Sequence, residues 1–217
     1  MISISSKFHS KFLRQRGFSL VELLVSLGII TLIATVVLSN QSKYTEGTHL
    51  TNQADEIGLQ LSQAQIYGIS VREFSPGSEE FDVSYGLSFN ISSTGSNDAY
   101  IYFADRDSDN RYDSGWACPT DSNSECISKM FLTKGNTIAV DGLCYVRTNN
   151  REQCNLGRID ISFLRPKTEA IIQVFNVAGN YMDPQPDNIV GAKINLISPN
   201  GLPRSIVVYK SGQISVQ

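Results

Sequence analysis

The stretch ADRDSDNRYDSGW places Asp105, Asp107, Asp109 and Asp113 at the first, third, fifth and ninth positions of a loop. Carboxylate oxygens on alternate residues can converge on one hard cation, and this spacing points to calcium. Two positions depart from a complete calcium loop. Asn110 stands at the sixth position, where glycine normally makes the sharp turn, and Trp116 at the twelfth, where a bidentate glutamate closes the shell. The competing reading is a solvated hairpin connection in which Asp and Asn serve turn geometry.

Four cysteines, Cys118, Cys126, Cys144 and Cys154, lie in the second half of the chain. An even count between short polar loops favours two disulfides in an exported domain. Local spacing makes Cys118 with Cys126 and Cys144 with Cys154 the first expectation among three connectivities. A zinc site is the rival, but neither pair has the short spacing of a zinc knuckle and no histidine is near. Nucleophilic catalysis finds little material. The two histidines are His9, in the basic N-terminal segment, and His49, shortly after the long apolar run, which leaves none for a Ser/His/Asp or Cys/His set in the later part of the chain, and no glycine loop for phosphate is present. The chain is expected not to be an enzyme.

Positioning such groups is the task of a chain of 217 residues, long enough for one membrane or targeting element and one domain. Residues 1–17 carry Lys7, Lys11, Arg14 and Arg16 and no acid. Without them 14 basic residues face 21 acidic ones, a balance of −7 that argues against general affinity for nucleic acid. Residues 18–38, FSLVELLVSLGIITLIATVVL, contain one charge, Glu22. As a helix this run extends roughly 30 Å and can span a bilayer. The basic residues before it hold the N-terminus in the cytoplasm and put the bulk of the chain outside. A cleaved secretory signal fits poorly, because the apolar run is too long and no small-x-small exit lies near Ser39. A carboxylate inside a spanning helix costs several kcal/mol unless something pairs with it. Glu22 therefore calls for a partner.

Beyond the apolar run, Leu50, Ala54, Ile57, Leu61, Ala64, Gly68 and Val71 alternate steps of four and three, one face of a helix. The helix is expected to run to about Phe74, where Ser75–Gly77 stops it. After Gly77 the period becomes two: Tyr85, Leu87, Phe89 and Ile91; Tyr100 to Ala104; Ile159, Ile161 and Phe163; Ala170, Ile172 and Val174. KMFLT and TIAV are weaker strand candidates, and the C-terminal stretch offers strands around turns at Asn200-Gly201 and Ser211-Gly212. The fold class is α+β: a long helical spine on a β-rich head.

RGFSLVELLVSLGIITLIA resembles the N-terminal signature of type IV pilins and of the pseudopilins of type II secretion. The resemblance implies a leader of residues 1–17, cut by a prepilin peptidase between Gly17 and Phe18, and N-methylation of Phe18. It makes Glu22 the fifth residue of the mature chain, where it meets the terminal ammonium of a neighbouring subunit. The implied organisation is a transmembrane half-spine at 18–38, an amphipathic half-spine at 39–74 and a head at 77–217. The layout resembles the GspH/FimT group of minor pilins and pseudopilins. Implied partners are the peptidase, other pilins or pseudopilins through the spine, and the assembly platform in the membrane. The implied location is the inner membrane before assembly, with the head in the periplasm or outside the cell. Some pseudopilins hold calcium in an acidic loop, so Asp105, Asp107, Asp109 and Asp113 keep calcium as the one cofactor considered. The alternative function is DNA binding for natural transformation, as in some FimT-like pilins. Its late basic residues, Lys193, Arg204 and Lys210, are isolated among apolar ones, which disfavours nucleic acid.

Overall fold

The computed structural model describes residues 17–70, 74, 81–121, 123–149, 151–182 and 188–217, with the side chains of residues 39, 40 and 42 set aside. One helix, α1 (Leu20–Ile69), precedes eleven described strands. These are β1 (Ser84–Asn90), β2 (Ala99–Asp105), β3 (Cys126–Phe131), β4 (Thr137–Arg147), β5 (Glu152–Cys154), β6 (Leu156–Phe163), β7 (Ala170–Asn176), β8 (Tyr181–Met182), β9 (Ile189–Ile197), β10 (Pro203–Tyr209) and β11 (Ile214–Val216). The architecture is α+β, as the change of period from 3.6 to two predicts. The leader, Val71 and the Ser75–Gly77 stop lie outside the described residues.

The chain divides into two units, Met1–Lys43 and Tyr44–Gln217. In the first, the apolar side chains of α1 are exposed all round, from Leu20 at 74 % to Leu38 at 66 %. The hydroxyls of Thr31 and Thr35 donate back to the carbonyls of Leu27 and Thr31, at 2.8 Å each. Polar side chains thereby satisfy themselves within the helix, which suits a segment with no water around it.

In the second unit the stripe read from the sequence is the buried one. Leu50, Ala54, Ile57, Leu61 and Ala64 enter one core with residues of two antiparallel sheets. The larger sheet runs β3-β2-β1-β6-β7-β8 and the smaller β11-β10-β9-β4-β5. Small residues let the helix approach closely. A Cβ on Gly68 would lie 2.1 Å from the Phe163 carbonyl oxygen. The helix ends at Ile69, short of the stop expected near Phe74, because tertiary contacts intervene: the Gly68 carbonyl accepts from the Arg165 N–H at 3.0 Å. That carbonyl would otherwise serve a further helical turn. Phe74 packs its ring under the Arg106 guanidinium, 4.8 Å away.

Strands β1 and β2 are buried at every position, although period-two reasoning allows one wet face. The outer face of the larger sheet is covered by the connection between β2 and β3. Tyr112 from that connection packs on Ile101 and Phe103 in a second small core. The bridges Cys118–Cys126 and Cys144–Cys154 are both formed, the local pairing among the three connectivities.

Candidate functional site

The N-terminal residues are arranged by where α1 begins. Gly17 and Phe18 precede the helix, and the Leu23 N–H donates to the Ser19 carbonyl at 3.1 Å, closing the first turn. A Cβ built on Gly17 meets nothing within 4 Å, and Phe18 is 75 % exposed. Glu22 lies in the first helical turn, where the positive end of the helix dipole favours a carboxylate. Around the helix it is flanked by the exposed apolar residues Phe18, Val21, Leu23, Leu24 and Val25, with the small polar Ser19 and Ser26 on its own face. Within one chain nothing cationic is placed to pair with it among the described residues. A carboxylate presented among lipid-type side chains is costly unless a cation is brought to it.

Against known protein families, residues 13–38 match the prokaryotic N-terminal methylation motif. The chain carries the signal of type IV pilins and pseudopilins. Processing by a prepilin peptidase, assembly through the apolar helix and single-pass anchoring before assembly go with this pilin-type signal. A signal of this type points to a structural subunit. No curated protein and no solved structure matches the chain. The pilin-type match ends before the head begins, so the head must be read from its own residues.

The acidic connection after β2 is assembled around two buried carboxylates. Asp105 is 1 % exposed and accepts from the Ser108 and Asn110 N–H groups, at 2.9 and 2.8 Å, and from the Ser84 hydroxyl at 3.1 Å. These bonds hold Ser108 and Asn110 in the left-handed region, at φ 68° and 63°. Glu125 is 5 % exposed and binds the other side of the connection, accepting from the Arg106 N–H at 3.3 Å and the Asp113 N–H at 2.7 Å. The connection is then latched to the sheet: the Tyr112 N–H donates to Asp160, which is fully buried and also accepts from Ser88 and Arg158.

Two trios of carboxylates place ligand atoms within 4.8 Å of one another: Asp105, Asp107 and Glu125, and Asp107, Asp109 and Asp113. All four aspartates read from the sequence therefore take part, split between two groups that share Asp107. Glu125 was missed, because it lies twelve residues beyond Asp113 and only the fold returns it. Crowding shows in the acidities. Burial pushes Glu125 up to about 7, against the pull of the Asp113 and Arg106 N–H groups. Asp105 is also raised by burial, and Asp109 by burial and the nearby Asp113. Burial and like charge both disfavour leaving every carboxylate of such a set ionised without a proton or a cation nearby. Asp107, common to both trios, would be the donor shared by any cation held there.

The late basic residues do not converge. Lys193 is held by Glu152 at 2.9 Å, Arg204 donates to the Thr51 hydroxyl at 3.1 Å, and Lys210 lines a separate recess.

Proposed function

We propose that the chain is a minor pilin-like structural subunit that enters the membrane as a prepilin and joins a type II secretion pseudopilus or a type IV pilus. Cleavage falls between Gly17 and Phe18, and the new terminal nitrogen of Phe18 is methylated. The observation that carries this reading is the match over residues 13–38, a stretch in which Glu22 is the single acid and whose helical apolar side chains, from Leu20 to Leu38, are exposed. A lone carboxylate and a lone ammonium are each penalised in a low dielectric, whereas together they attract strongly. Pairing Glu22 with the Phe18 ammonium of a neighbour makes assembly the event that relieves both penalties. The head then faces the periplasm or the exterior, following the basic residues on the cytoplasmic side.

The test is photocrosslinking in the native cell from the head-bound half of the spine. Leu61 is fully buried, so the probe belongs at Leu59, which is 71 % exposed. Capture of pseudopilins would assign the chain to secretion, and capture of a major pilin to a pilus. Capture of neither class in assembling cells would overturn the reading.

A further inference from the structure

The chain has one asparagine followed by glycine, Asn200-Gly201, at the tip of the hairpin that joins β9 to β10. Two main-chain bonds set the turn. The Gly201 N–H donates to the Ser198 carbonyl at 2.9 Å, and the Ser198 N–H donates to the Leu202 carbonyl at 3.0 Å. Gly201 lies in the left-handed region at φ 83°, where glycine usually closes a three-residue hairpin loop. Asn200 and Gly201 are both exposed, and a Cβ built on Gly201 meets nothing within 4 Å. The pair stands in reach of water.

A restraint on it comes from the spine. Glu46 on α1 accepts from the Asn200 N–H at 2.9 Å through one carboxylate oxygen and from the Asn200 side-chain amide through the other. Bonds to an ionised acceptor are stronger than neutral ones. Leu202 lies over the same part of the helix, its Cδ1 3.8 Å from the place of a Cβ on Gly47. The hairpin is thus clasped to α1, and all the groups involved belong to Tyr44–Gln217.

We propose that Asn200 is a site of spontaneous deamidation which the Glu46 clasp holds in check, and that the reaction makes an opened clasp permanent. The Gly201 backbone nitrogen attacks Cγ of Asn200 and closes a cyclic imide. The Cγ–Nδ2 bond breaks, and ammonia leaves with the proton of the Gly201 N–H. Water then opens the ring to aspartate or isoaspartate. Glycine favours the attack because it has no side chain to crowd the closing ring. In the folded turn, closure needs the Gly201 N–H to leave Ser198 and the Asn200 amide to leave Glu46, so a bond at each reacting group opposes it. Once the amide is gone, a new carboxylate faces that of Glu46, and the two repel. Isoaspartate also lengthens the main chain by one carbon at the turn. The clasp cannot refasten as before, whether or not the chain joins a filament.

The experiment incubates the full chain in detergent micelles at mildly alkaline pH and follows Asn200 by peptide mapping and mass spectrometry, beside a free peptide of residues 196–205. The peptide should convert fastest and the intact chain slowest. Glu46→Ala should convert at least about tenfold faster than the unaltered chain, as expected when a bond to a charged acceptor is lost. Thr51→Ala removes the nearby contact of Arg204 with the helix and should leave the rate unchanged. Equal rates in Glu46→Ala and the unaltered chain, or an equal gain in both variants, would overturn the proposal. Its second half is read by hydrogen exchange. Asn200→Asp should speed exchange at the residue 200 N–H, and unchanged exchange there would mean that the clasp survives the reaction and that no switch exists.

Discussion

The two halves of α1 use one backbone conformation for opposite ends. Through residues 20–38 the apolar side chains cover the whole circumference and are exposed; from Leu50 to Ala64 they form one stripe and are buried. A helix that is apolar all round needs an apolar medium on every side, whereas a striped helix needs only one packed face. The first half is built for a membrane or a bundle of like helices, and the second for its own head. Glu22 and Gln53 mark the contrast. Gln53 is buried in the head and accepts from the Thr133 N–H and hydroxyl, at 2.8 and 2.9 Å. Glu22 has no cationic partner among the described residues.

The strongest test of that contrast is Glu22→Ala. Processing should continue, while incorporation into filaments falls about tenfold or more, read by blotting sheared filaments against the membrane fraction. Normal incorporation would remove the explanation offered for the carboxylate. The second half can be challenged by a pair of truncations one turn-face apart. Leu61→Ala should cost about 2–5 kcal/mol of head stability, because it opens a cavity in the core. Leu59→Ala should cost less than about 0.5 kcal/mol in the isolated subunit, followed by denaturant unfolding. Similar losses for the two would mean that the stripe does not face the head.

A smaller effect separates the head's acidic connection from the rest of its surface. Glu125 is raised to about 7 by burial. The unfolded chain releases that proton at the ordinary carboxylate value, near 4.5. Its contribution to stability is thus fully present below about 4.5 and is lost as pH rises through about 7. Melting temperature should fall across that window, and Glu125→Gln should flatten the profile. Glu46 acts in the opposite sense. Hydrogen bonds from Ser198 and Asn200 lower it, so its contribution weakens as pH falls below the usual carboxylate range. A melting temperature that rises from pH 5 to 7 would contradict the dominant role given to Glu125.

Much of this was legible without coordinates because it depends on local order. A basic segment, Gly17-Phe18, Glu22 and an unbroken apolar run are adjacent along the chain, and their meaning survives whatever the rest folds into. The spine stripe and most strands followed from periodicity, which local backbone geometry fixes. Local disulfides were the natural expectation at separations of 8 and 10 residues. Tertiary structure decided the rest. It ended the helix at Ile69 by giving the Gly68 carbonyl a partner almost a hundred residues away. It added Glu125 to the aspartates of the acidic connection, and it buried Asp160, which alternation along β6 puts on the side where solvent is expected. It set the Lys210 carbonyl against the Ala170 N–H at the start of β7. None of these has a local signature. A hydrogen bond or a shared cavity between distant segments is set by sheet order and by the path of a covering loop, and the periodicity of any one segment is blind to both.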